Sequence, residues 1–101
     1  MNRTSASYRK GLLKALSDPE EAAAYLNAAL EDGAPEGFLL ALRDVADAIG
    51  MSRVAREARL NRESLYRMLS RRGNPQLASL ASLLDRMGLK LSVEVKRRIP
   101  A

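Results

Sequence analysis

The stretch MSRVAREARLNRESLYRMLS, residues 51–70, decides how the rest of the chain is read. Ser52 can cap a short helix over roughly 52–58, with Val54, Ala55 and Ala58 on its inward side. Arg59-Leu60 makes a tight turn, and Asn61 can cap a second helix over roughly 62–70, with Leu65, Met68 and Leu69 inward. Ala55 falls where the two helices cross, and a larger side chain there would push them apart. Leu60, Leu65 and Met68 are placed to lock the pair onto the preceding helix. Asn61, Arg62, Glu63, Tyr66, Arg67 and Ser70 then share one solvent-facing side of the second helix.

Upstream, the punctuation is clear. Phe38, Leu39, Leu42, Val45, Ala46 and Ile49 recur at helical spacing after Pro35, and Gly50 ends that run. Before it, Asp18 can cap, Pro19 suits the first helical position, and Glu21 can complete a capping box. Ala22, Tyr25, Leu26, Ala29 and Leu30 form the stripe of that helix, which Gly33 stops. Leu12, Leu13 and Leu16 suggest a short helix or arm over residues 1–17, weakened by Gly11. Downstream of Gly73-Asn74-Pro75, the residues Leu77, Leu80, Ala81, Leu83, Leu84 and Met87 give one more amphipathic helix, stopped by Gly88.

The period then changes. In LKLSVEV, residues 89–95, apolar and polar residues alternate strictly, which is a strand pattern. A lone strand cannot satisfy its own backbone groups, so it needs a second copy of the chain or an extended part of the N-terminus. The economical arrangement is a homodimer joined through Leu89, Leu91, Val93 and Val95. Alternatively, Lys90, Glu94 and Lys96 blunt an unpaired edge.

Composition narrows the function classes. The 101 residues suit one domain, and 47% of them are apolar, enough for a core. There is no His and no Cys, which removes the commonest general base, the thiol nucleophile, disulfides and thiolate metal sites. Asp44 and Asp47, three apart on one helix, could suggest a metal pair, but a solvated surface explains them better. Glu20, Glu21, Glu31 and Asp32 fall at helix ends or on outward faces. No Gly-rich phosphate loop, membrane-length apolar run or signal peptide is present. The expectation is a non-enzymatic, cytoplasmic protein with no cofactor, no metal and no membrane partner.

Charge is divided along the chain. Residues 1–50 hold 5 basic and 8 acidic side chains, net −3, whereas residues 51–101 hold 12 and 4, net +8. The boundary coincides with the start of the 51–70 stretch, so the basic half is where a polyanion would bind. Arg62 and Arg67 can form bidentate hydrogen bonds to guanine edges, and Glu63 can accept from cytosine N4. Tyr66 lies on the same side of the second helix. Ser52, Arg53, Asn61, Ser64, Arg71, Arg72 and Asn74 are the expected contacts to the sugar–phosphate backbone of double-stranded DNA. The plainer alternative is a helical hairpin whose polar side is only solvated.

The chain also resembles the addiction-module antidote proteins, HigA-like antitoxins with a helix-turn-helix of the lambda-repressor-like superfamily. The resemblance runs from about Asp18 to Val95 and rests on Asp18-Pro-Glu-Glu-Ala, Ala24-Tyr-Leu-Asn-Ala-Ala-Leu-Glu, Phe38-Leu-Leu-Ala-Leu-Arg-Asp-Val-Ala, Asn61-Arg-Glu-Ser-Leu-Tyr-Arg-Met-Leu-Ser, Gly73-Asn-Pro and Gly88-Leu-Lys-Leu-Ser-Val-Glu. It implies an all-α fold of five to six helices with one short C-terminal β-strand. Residues 18–101 would form the helix-turn-helix DNA-binding domain with its dimerisation strand. It also implies a function, binding operator DNA as a repressor and neutralising a cognate toxin encoded beside it, and by the motif match it makes Arg62, Glu63, Tyr66 and Arg67 the expected base-reading set. The acidic helices before residue 50 would suit a basic toxin. The chain departs from the family at Arg59, where glycine is usual in the turn; a positive φ there would cost on the order of 1 kcal/mol. Two other readings stay open, a stand-alone transcriptional regulator without a toxin and an antitoxin that has lost DNA affinity.

Overall fold

The computed structural model describes residues 3–97. Six α-helices follow one another: α1 (Arg3–Leu16), α2 (Pro19–Glu31), α3 (Pro35–Ile49), α4 (Met51–Glu57), α5 (Arg62–Met68) and α6 (Leu77–Arg86). Their starts follow local chemistry. Pro19 opens α2 behind Asp18, whose carboxylate accepts from the Glu20 amide at 3.3 Å, and Pro35 opens α3.

The longest apolar stripe belongs to α3, and the other helices assemble around it. Phe38, Leu39, Ala41, Leu42, Val45 and Ala46 are buried there, and α1, α2 and α4 each pack against α3. α1 contributes Leu16 with Leu12 beside it, and α2 contributes Ala22 and Leu26. Leu83, Leu84 and Met87 close the core from the α6 end. Every buried side chain among the described residues is apolar, so burial is opposed by no desolvated charge. Each fully buried leucine, such as Leu42, Leu65, Leu69 or Leu83, contributes about 1.5–3 kcal/mol over its exposed state.

Three details differ from the sequence reading. The expected cap at Ser52 is not formed: α4 starts at Met51 with Gly50 as its N-cap, and Ser52 is exposed inside the first turn. Gly50 (φ 119°) ends α3 and starts α4 at once, with Gly50 N–H donating to Ala46 O and Gly50 O accepting from Val54 N–H, so no residue is left between the helices to cap. Apolar residues expected in the inward stripes are in part exposed: Leu30 near the end of α2, and Leu77 and Ala81 of α6.

The third difference is the C-terminal β-strand, which is not formed; residues 89–97 have no regular structure. A strand is stabilised by its ladder, and one copy of the chain offers this segment no ladder partner. The segment instead begins in a helix cap. Leu89 N–H donates to Leu84 O at 2.8 Å and Leu89 packs against the core. Leu91 lies by Leu30, Phe38 and Leu80, whereas Val93 and Val95 are 98% and 90% exposed.

Candidate nucleic-acid interface

The two short helices α4 and α5 are joined by a turn whose hydrogen bonds fix its shape. Ala58 N–H donates to Val54 O, Arg59 N–H to Arg56 O at 3.1 Å, and Leu60 N–H reaches back five residues to Ala55 O at 2.8 Å. This is the Schellman pattern, and it requires a left-handed residue before Leu60. Arg59 is that residue, with φ 60°, the only positive φ outside glycine among the described residues. The strain anticipated for an arginine in this place is present. Gly88 fills the equivalent place after α6, where Gly88 N–H donates to Asp85 O and Leu89 N–H to Leu84 O.

α5 begins on a side-chain cap. Asn61 Oδ1 accepts from Ser64 N–H at 2.6 Å, so both Asn61 and the Ser64 amide are engaged in starting the helix. Leu65 and Leu69 are fully buried and orient α5, with Met68 half-buried beside them, whereas Leu60, expected to help lock the pair, is 37% exposed and outside the core. Ala55 is buried at the crossing of α4 and α5, as its small size requires. At the far end Gly73 closes a turn by donating its amide to Ser70 O at 2.9 Å. A Cβ on Gly73 would land on the carbonyl oxygen of Met68, so no larger residue fits without moving the end of α5.

With its apolar side thus fixed, α5 holds Arg62, Glu63 and Arg67 out in solvent. Arg67 Nη2 donates to Glu63 Oε1 at 3.4 Å, an i,i+4 pair whose side chains are 72% and 86% exposed. Such a pair is worth a few tenths of a kcal/mol and yields readily to a stronger partner. Tyr66 differs from its neighbours, being half-buried against the core. Its ring lies 4.9 Å from the Arg43 guanidinium of α3 and 5.7 Å from that of Arg62, and its hydroxyl accepts from Arg62 Nη2 at 3.4 Å.

The remaining expected contacts are distributed on either side of α5. Ser52 and Arg53 are exposed on the first turn of α4, with Arg53 Nε donating to Glu57 Oε2 at 3.3 Å. Arg71, Arg72 and Asn74 are exposed on the segment after α5, and Ser64 is half-buried in the first turn of α5. The 51–74 region therefore presents a set of guanidinium groups with few carboxylate partners. Guanidiniums in this state suit planar, bidentate acceptors such as phosphates and guanine edges.

Two features of this surface escape the sequence reading. Arg43 belongs to the acidic half and to a helix valued there only for its core residues, and no local spacing links it to Tyr66. Asp44, beside it, faces a different set of groups. Arg9 Nη1 donates to Asp44 Oδ1 at 3.0 Å, Arg9 Nη2 to Asp47 Oδ2 at 2.8 Å, and the Tyr25 hydroxyl to Asp44 Oδ2 at 2.6 Å. The hydrogen bond that Arg9 donates to Asp44 is the largest influence raising the Arg9 pKa above its usual value. Burial, then the bond to Asp44, pushes the Tyr25 hydroxyl up to about 12.

Comparison with known proteins bears on both halves. The profile of a family described as probable addiction module antidote protein matches residues 9–95. An uncharacterized protein of Haemophilus influenzae is 39% identical over 82 residues, covering 81% of this chain and 84% of that protein. No solved structure matches the chain.

Proposed function

Because the chain belongs to the probable addiction module antidote protein family, we propose that it is the antitoxin of a type II toxin–antitoxin module, which binds operator DNA and neutralises its toxin. The family supplies the antidote role and, with it, a toxin partner. The observation that carries the DNA-binding half is the exposed row of Arg62, Glu63 and Arg67 on a helix anchored by two fully buried leucines. In this reading α4 and α5 form a helix-turn-helix of the lambda-repressor-like kind, and α5 enters the major groove.

Specific bases are read by Arg62, Glu63 and Arg67, while Ser52, Arg53, Arg71, Arg72 and Asn74 hold the duplex backbone. No helix among the described residues is long and apolar enough to cross a membrane, in keeping with partners met in water. The active species is a homodimer paired through residues 89–95, where the strand pattern finds in a second copy the ladder one chain lacks. Two-fold symmetry would then match a palindromic operator with half-sites about one helical turn apart.

The test is a pull-down of the product of the adjacent gene together with footprinting of the DNA upstream of both. Capture of that product and a protected palindrome support the reading; a footprint without any captured neighbour favours a stand-alone regulator. For the dimer, Val93→Pro should convert the species seen in light scattering to a monomer, and a persisting dimer would refute the strand pairing.

A further inference from the structure

Arg43 stands apart from Arg9. Arg9 is held by two carboxylates, but Arg43 has no carboxylate within ion-pair distance among the described residues, although Asp44 is its chain neighbour and Asp47 lies one helical turn on. Both of those carboxylates are turned to Arg9. What Arg43 has instead is the ring of Tyr66, shared with Arg62.

Two like charges on one ring repel, and an exposed cation–π contact offsets that repulsion only weakly. The arrangement is therefore short of one negative group, at the place where the Arg43 side chain of α3 reaches the Tyr66 ring of α5. Tyr66 is the element of that row held by the core, so it can fix both guanidiniums while itself staying half-buried. A planar ring is a suitable support, because guanidinium stacks on it and keeps its hydrogen-bonding edge free.

Resting on the DNA-binding reading above, we infer that Arg43 is a further contact to a DNA phosphate, and that Tyr66 is the positioning residue that orients Arg43 and Arg62 rather than a reader of bases. α3 thereby becomes part of the interface, and the acidic half of the chain contributes one cation to it. The phosphate supplies the charge that Arg43 and Arg62 lack. Arg62, steadied by the Tyr66 hydroxyl, is left to meet a base edge.

The test uses the full chain and the footprinted operator duplex, titrated over a series of salt concentrations. Arg43→Ala should lower the slope of log K against log salt by about one unit and weaken operator and unrelated duplex by the same factor. Arg43→Lys, which keeps the charge, should restore the slope. Arg43→Gln, which keeps the length of the side chain without its charge, should behave like alanine and covers the case in which alanine disturbs packing. Tyr66→Phe should leave the slope unchanged while relaxing preference at one base pair, because the ring remains but the acceptor for Arg62 is gone. An unchanged slope in both Arg43→Ala and Arg43→Gln, with Arg67→Ala still impaired, overturns the role of Arg43 and leaves the DNA-binding reading standing. Relaxed preference absent in Tyr66→Phe overturns the positioning role. A wild-type chain with no attraction for duplex at low salt overturns both readings together.

Discussion

On α3, Asp44 and Asp47 each accept a hydrogen bond from Arg9, at 3.0 and 2.8 Å, and Asp44 takes another at 2.6 Å from Tyr25. On α5, Arg67 has one contact of 3.4 Å to a carboxylate that is itself 86% exposed, and Arg62 has one of 3.4 Å to a phenol. The two aspartates of α3 are answered from within the chain, whereas the arginines of α5 are hardly answered at all. Charges satisfied internally tie α1 and α2 to α3 and leave little capacity for a ligand. Charges held out without partners cost little stability, because water solvates them, and they keep their full capacity for a partner. On this account the Asp44 cluster is structural and the α5 row is functional.

That division can be broken by moving charges one at a time. The largest effect is expected from Arg67→Ala, which should cost about 1–3 kcal/mol of operator affinity and relax preference at one base pair, with thermal unfolding unchanged. Equal loss on every sequence would make Arg67 a phosphate contact. Asp44→Ala should do the reverse, lowering stability by about 1 kcal/mol in thermal or urea unfolding and leaving DNA affinity alone. Loss of DNA affinity in that variant would break the contrast between the two helices. Arg71→Ala should weaken all duplexes alike and flatten the salt dependence by about one unit, without a change in base preference.

The smallest effect sharpens the Asp44 side. Folded Tyr25 keeps its proton to about pH 12, whereas an unperturbed tyrosine loses it near 10.0. The folded state therefore binds more protons in that window, so this contribution is complete below pH 10 and fades as pH rises to about 12. Alkaline unfolding of Tyr25→Phe should lack that component, and identical pH profiles would remove Tyr25 from the cluster.

How much of this was legible beforehand depends on the range of the interaction concerned. α3 and α5 could be read because their apolar residues recur locally and because Pro35 and Asn61 mark their starts. The strain at Arg59 could be anticipated only through the family resemblance, in which glycine is usual at that place in the turn. The end of α6 uses glycine for the same purpose, which shows that arginine at the first turn is a choice the geometry does not dictate. The strand is not formed in one chain because alternation records which side chains share a face, while a strand also needs a partner to bond with. Arg43 and the Arg9–Asp44–Tyr25 cluster could not be found by spacing, since each joins residues 19 or more positions apart. Gly73 was read as punctuation, although its actual constraint is the carbonyl oxygen of Met68 pressed against it.

The account rests on α5 offering its arginines to a polyanion. Fluorescence anisotropy of a labelled duplex from upstream of the gene, titrated with the full chain at stepped salt concentrations, tests this most directly. Saturable binding whose log K falls linearly with log salt, by several units of slope, is the predicted result. A duplex that stays free at the lowest salt, with the chain folded, would contradict it.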